Sequence, residues 1–116
     1  MALVATVLSV VLLVALVVSS LGDLAKVPSL VATMNRLGVP PTMLPVLAVI
    51  KLAASAGLIV GFWSAPLQVA TGAALSLYFA LAVAMHTRAR DSMADTAAAM
   101  VLLGASFALT LTALAL

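Results

Sequence analysis

The segment at residues 44–62, LPVLAVIKLAASAGLIVGF, is apolar enough to cross a lipid bilayer, yet it carries Lys51 well inside it. About 20 apolar residues in a helix cross a hydrocarbon core of about 30 Å. A lone lysine in such a helix costs about 2.5–3.5 kcal/mol on insertion scales, and a carboxylate or a water-filled cavity reduces that cost. The rest of the chain is therefore expected to supply a partner, a cavity or a route to the surface.

The composition places most of the outer surface in contact with lipid. The chain has 116 residues, of which 66% are hydrophobic and 7% are charged, whereas about a quarter are charged in soluble domains. The net charge of +2 reflects a scarcity of acids, and no basic cluster indicates a nucleic-acid partner. Without cysteine and with a single histidine, the chain lacks the residues for a thiolate or multi-histidine metal site. No metal site is expected, and the sequence identifies no cofactor.

Four apolar stretches predict an all-α membrane protein, an antiparallel bundle of four transmembrane helices in a single integral membrane domain over residues 1–116. The short turn at 64–66 makes the second and third spans antiparallel neighbours. A secretory signal is the alternative for the first span, but the run is too long and has no basic residue before Lys26. Ser92, with Asp95 three residues later, resembles a capping box at the start of the fourth span. The predicted spans are 2–22, 43–63, 66–86 and 94–116.

The longest connection, residues 23–41, predicts a short helix at about 28–38. Pro28 suits a first helical turn, and Gly38 suits the residue just after a helix. The apolar residues within it fall on one face, which indicates an amphipathic or re-entrant helix at the bilayer surface. The alternative is an ordinary surface loop.

The basic residues predict the orientation. Two loops carry Lys26, Arg36, Arg88 and Arg90, whereas the opposite side has no Lys or Arg. Cytoplasmic loops are enriched in these residues, so we expect a multi-pass protein of the inner (plasma) membrane with these loops in the cytoplasm and both termini outside.

A few polar residues gather towards the cytoplasmic side and predict a polar pocket there. Lys51 and Tyr78 lie at similar depth, and Asp23 and His86 lie near the edge of the membrane. Each has a simpler interpretation: Lys51 could reach the surface with its long side chain, Tyr78 could donate to a backbone carbonyl, and His86 could contact water or headgroups. The catalytic candidates are Asp23, Lys51 and His86. The ligand-binding candidates are Lys51, Tyr78, His86, Asp23 and Ser55.

Several motifs together resemble the DoxX-like family of small four-span bacterial membrane proteins. They are Lys26-x-Pro28, Leu37-Gly38-Val39-Pro40, the stretch LPVLAVIKLAASAGLIVG and the stretch LYFALAVAMHTRARD. The resemblance covers roughly residues 23–91, and it implies association with membrane redox systems, including a thiosulfate:quinone oxidoreductase. Lys51 and the run from His86 to Asp91 look like recurrent polar positions of the family. Other branches commonly carry an acid where this chain has Lys51, so their chemistry does not transfer directly.

Three functions are consistent with these features. The first is a module that binds membrane lipid, quinone or another lipophilic molecule, or that docks to a membrane redox partner. The second is a small intramembrane enzyme of isomerase or ring-opening hydrolase type, in which the polar residues supply acid–base groups. The third is a small-molecule transporter, which is disfavoured because a central lysine repels cations. Small-residue pairs such as Gly57 and Gly61 also allow a homo-oligomer.

Overall fold

The fold, described for residues 2–116 of a computed structural model, is helical from end to end. Helix α1 covers Ala2–Ala25 and the short helix α2 covers Pro28–Leu37. Helix α3 covers Leu44–Val60, and single 3-10 turns at Pro41–Met43 and Gly61–Trp63 extend it at both ends. Helix α4 covers Ala65–Arg88 and α5 covers Met93–Leu114.

Four of these segments are long and apolar enough to cross a membrane. They are α1, α3 with its flanking 3-10 turns, α4 and α5, with 24, 23, 24 and 22 residues. Helix α1 packs against α3 and α5, and α4 packs against α5 and α3, so the four form an up-and-down ring. The bundle measures 41 × 24 × 17 Å, and its long axis matches a bilayer with its headgroups, about 40–45 Å. The prediction of an all-α bundle of four membrane helices is confirmed.

The outer surface of the bundle is apolar. Exposed valines and leucines cover α1, for example Val14 and Val18 at 57% and 64% exposure. A soluble protein rarely exposes such a continuous apolar surface. The bundle is therefore a multi-pass membrane protein whose helices contact lipid.

Small residues let the helices approach closely inside the bundle. A Cβ atom added to Gly57 would lie 2.5 Å from the Thr71 hydroxyl of α4, and one added to Gly72 would lie 2.6 Å from the Thr110 hydroxyl of α5. The Gly57–Gly61 pair thus packs within the chain, since Gly61 also meets Gln68 of α4. A homo-oligomer stays a prediction.

The ends of α1 and α4 are closed in the same way. Lys26 and Arg90 both have left-handed backbone, with φ of 51° and 52°, a conformation that non-glycine residues seldom adopt. After α4, the Asp91 N–H donates to the carbonyl of His86 at 2.9 Å, as in a Schellman motif. This turn holds the Asp91 side chain beside the last turn of α4.

Helix boundaries differ from the sequence prediction at one informative place. The predicted span ends at residue 22, whereas α1 continues to Ala25 and contains Asp23. The Asp23 side chain contacts α3, as described below. Pro28 begins α2 and Gly38, with φ of 74°, ends it, while the depth of α2 in the bilayer stays a prediction.

Candidate functional site

Lys51 of α3 is paired with a carboxylate of α1. Its Nζ donates to Asp23 Oδ2 at 2.6 Å and to Ser19 Oγ at 2.7 Å. The side chains of Lys51 and Asp23 are 11% and 3% exposed. Ser19 and Asp23 are four residues apart and so lie on one face of α1. This contact offsets part of the cost of burying the ammonium, since an opposite charge and two hydrogen bonds replace its interactions with water.

Beside this pair lies a partly open cavity of about 600 Å³, lined by the bundle and by α2. Its walls are mostly apolar and include Leu16, Phe79 and Leu102. Lys51, Asp23 and Ser19 line it. The ammonium has three hydrogens and two partners among residues 2–116, so the third hydrogen is available to a ligand or to water.

Tyr78 adds a second free donor to the same cavity. Its ring meets Phe79 edge to face, with centroids 5.2 Å apart. The Tyr78 hydroxyl has no hydrogen-bond partner within the part of the chain that the structure describes. Every fully buried polar side-chain atom in that part has a partner, so the Tyr78 hydroxyl is not fully buried. Tyr78 lines the cavity. The backbone-carbonyl alternative for Tyr78 is not seen.

Next to His86, which lines the cavity, Asp91 joins α4 to α2. His86 Nδ1 lies 2.7 Å from Asp91 Oδ2, and Arg36 Nε donates to Asp91 Oδ1 at 2.9 Å. The backbone N–H of Ser92 above all, and then the hydrogen bonds of His86 and Arg36, hold the pKa of Asp91 below its ordinary value despite burial. Asp91 is therefore ionised at neutral pH and accepts from both side chains.

This pairing fixes the tautomer of His86. An ionised carboxylate only accepts hydrogen bonds, so Nδ1 carries the hydrogen. In the neutral ring Nε2 is then an acceptor, and it has no partner among residues 2–116. His86 lines the cavity. The arrangement orients the ring and leaves Nε2 as its free nitrogen.

Helix α2 covers the cavity. Leu30, Thr33, Met34 and Leu37 face into it, although no residue of α2 is fully buried. Arg36 connects α2 to Asp91 in the loop before α5 and to Asp95 in the first turn of α5, where its Nη2 lies 3.5 Å from a carboxylate oxygen. The same Nη2 donates to Thr33 within α2 at 3.0 Å.

The sequence-derived candidates do not all lie at the cavity. Asp23, Lys51, Tyr78 and His86 line it, and Ser55 does not. The Ser55 hydroxyl donates to the carbonyl of Lys51 in its own helix at 2.8 Å. Over residues 2–116 no cluster of three or more histidine or acidic side chains could hold a metal ion.

Sequence reasoning missed Ser19 and Arg36 as members of this region. Ser19 could have been found, since it lies one helical turn before Asp23 on the same face of α1. Arg36 could not, because its contacts with Asp91 and Asp95 join positions 55 and 59 residues apart.

Fold and cavity together define a small four-helix membrane protein with a partly polar cavity towards one end. A comparison with known families agrees with this class. The model of the DoxX-like family matches residues 7–109, which is most of the chain, so the protein belongs to the DoxX-like family. No curated protein and no solved structure matches the chain.

Proposed function

We propose that the cavity binds a neutral lipophilic molecule with a hydrogen-bond-accepting head, such as a quinone, and that the protein serves as an accessory module of a membrane redox system. The observation that carries the proposal is the Lys51 ammonium, paired with Asp23 yet bordering an apolar cavity of about 600 Å³. That volume lies within the range typical of small-molecule sites, about 300–1,000 Å³.

The charges favour a neutral ligand. Lys51 and Asp23 neutralise each other at 2.6 Å, so an ionic ligand would meet an already compensated pair. The free groups beside them, the third Lys51 hydrogen and the Tyr78 hydroxyl, are donors. A carbonyl oxygen of a quinone accepts such bonds, and the apolar walls suit its ring and tail.

Equilibrium titration of the purified protein with a short-chain ubiquinone in detergent tests the proposal. We expect saturable binding that Tyr78→Phe weakens about three- to tenfold, since a hydrogen bond contributes about 0.5–1.5 kcal/mol net. Ser55→Ala is the matched control, because it removes a hydroxyl that faces its own helix. Absence of saturable binding, or equal loss in both variants, would contradict the proposal.

A second candidate function, a small intramembrane enzyme of isomerase or ring-opening hydrolase type, is favoured by the pair His86–Asp91. An oriented imidazole with an open Nε2 is a suitable general base or acid. Turnover of a lipophilic epoxide or enone that His86→Gln abolishes without loss of binding would support the enzyme. Turnover that persists in His86→Gln would remove His86 from this role.

The orientation belongs to the same proposal. We place the loops with Lys26 and Arg88 in the cytoplasm, both termini outside, and the whole chain as one domain in the inner membrane. Because the chain has no cysteine, single cysteines at Leu116 and Thr87 can be labelled in whole cells with a membrane-impermeant maleimide. Leu116→Cys should react and Thr87→Cys should not, and the reverse pattern would overturn the topology.

A further inference from the structure

A second cavity lies outside the site described above, between the end of α2 and the end of α4. It has a volume of about 430 Å³, and its surface is mostly polar. Arg36 and Asn35 line it from α2, and Arg88 lines it from α4. We propose that this groove binds the phosphate headgroup of an anionic phospholipid. The proposal does not depend on the ligand of the first cavity.

The side chains of the groove match an anion. Two guanidinium groups and one amide supply donors, and no acidic residue of the described chain lines it. Arginine recognises phosphate through two parallel N–H bonds. Arg36 is held in place because its Nε and Nη2 already bond to Asp91 and Thr33, which leaves Nη1 for an additional partner.

The helix ends that border the groove do not repel an anion strongly. A helix C-terminus carries partial negative charge on its last carbonyls. At the end of α2, however, the N–H groups of Gly38 and Val39 donate to the carbonyls of Asn35 and Met34 at 3.2 and 2.9 Å. The end of α4 is closed by the turn at Arg90. Arg36 is already paired with Asp91 and Asp95, whereas Arg88 has no ion-pair partner among residues 2–116 and so supplies the uncompensated positive charge of the groove.

The position of the groove favours a lipid over free phosphate. Arg88 is the last residue of α4, so the groove opens where an apolar membrane helix ends, at the depth of the headgroups. Leu37 and Met85 form the apolar part of its wall, which suits the glycerol and the first acyl carbons. Basic pockets between membrane helices are known to bind anionic headgroups.

The experiment compares Arg88→Gln with Arg90→Gln. Both variants lose one positive charge from the same end of α4, but Arg90 does not line the groove. Native mass spectrometry of the full chain, released from nanodiscs of equal phosphatidylglycerol and phosphatidylcholine, counts each retained lipid. The wild type should prefer phosphatidylglycerol. Arg88→Gln should reduce that preference about fivefold, because a basic residue near the surface contributes about 1 kcal/mol, and Arg90→Gln should reduce it less than twofold.

Two results would overturn the proposal. Equal loss in both variants would mean that the charge of the loop attracts lipids without a site. An Arg88-dependent rise in melting temperature with inorganic phosphate in lipid-free detergent, without phosphatidylglycerol preference, would identify free phosphate as the ligand. Because Arg88 is exposed, its replacement should leave the fold intact, and circular dichroism verifies this.

Discussion

Replacing Asp23 with asparagine would leave the Lys51 ammonium without its counter-charge in the interior of the bundle. Removal of one partner from a buried ion pair typically costs about 3–5 kcal/mol. Here Lys51 is 11% exposed, borders a cavity, and keeps its 2.7 Å bond to Ser19, so water can reach it. We therefore expect Asp23→Asn to lower the free energy of unfolding by about 2–3 kcal/mol, somewhat less than is typical of a fully buried pair.

The double variant Asp23→Asn/Lys51→Met separates charge from shape. It removes both charges, and replacement of a whole buried pair by neutral groups is often close to neutral for stability. We expect its free energy of unfolding to lie within about 1 kcal/mol of the wild-type value, so the double variant should lose less stability than the two single variants together. Unfolding in mixed detergent micelles of increasing SDS content, followed by circular dichroism, measures all four proteins.

Asp95→Asn is the matched control for this cycle. Its carboxylate is 47% exposed and lies 3.5 Å from Arg36, so solvent screens the pair and the loss should be below about 1 kcal/mol. If the double variant were as unstable as Asp23→Asn alone, the Lys51–Asp23 contact would not be what stabilises the buried ammonium, and the reasoning would fail.

Three further predictions concern helix packing and the contacts of Asp91 and Arg36. Gly57→Ala should destabilise the bundle by about 1–3 kcal/mol in the same SDS assay, because its Cβ would lie 2.5 Å from the Thr71 hydroxyl. Gly104→Ala, with open space around its Cβ, is the control, and equal effects of the two variants would contradict the packing argument. Hydrogen bonds, first of all from a backbone N–H, lower the pKa of Asp91 below its ordinary 3.8, so ionised Asp91 stabilises the fold fully above about pH 4 and this contribution disappears as the pH falls through the lowered pKa. Asp91→Asn should therefore flatten the acid limb of a curve of stability against pH, and an unchanged limb would refute this. Arg36→Gln should speed hydrogen exchange of the α2 amides about two- to fivefold, since a half-exposed ion pair contributes about 0.5–1 kcal/mol; unchanged exchange would show that the ion pair does not hold α2.

The general architecture follows from composition and length. Only helices and closed barrels satisfy their backbone in a bilayer, and continuous runs of about 20 apolar residues are typical of the helix. The sequence predicted four spans, and the structure has four helices of that kind. Local signals also worked at the helix ends: Pro28 and Gly38 bound α2, and Ser92 accepts the Asp95 N–H at 3.2 Å. The Asp95 carboxylate does not complete a capping box but turns to Arg36.

The site was only partly predictable, because its contacts join distant parts of the chain. The depths of Lys51 and Asp23 made their meeting conceivable, but only the packing of α1 on α3 brings them to 2.6 Å. The choice of Asp91 as the partner of His86 was likewise not predictable from the sequence. The choice depends on the turn after α4, where left-handed Arg90 directs Asp91 back to the ring, and periodicity carries no signal for such a residue.

Whether Lys51 is simply tolerated or used depends on what lies around it. Buried polar groups usually have all their hydrogen bonds satisfied within the protein. A lysine without a functional role would therefore be expected to have partners for all three ammonium hydrogens and apolar side chains packed against it. Lys51 instead has a counter-charge on one side and a cavity on the other, with the unpartnered Tyr78 hydroxyl at the same cavity. Hydrogen-bond donors without a partner beside an apolar space reduce stability unless a ligand or water accepts their hydrogens. That cost is the physical reason to look for a lipophilic ligand here.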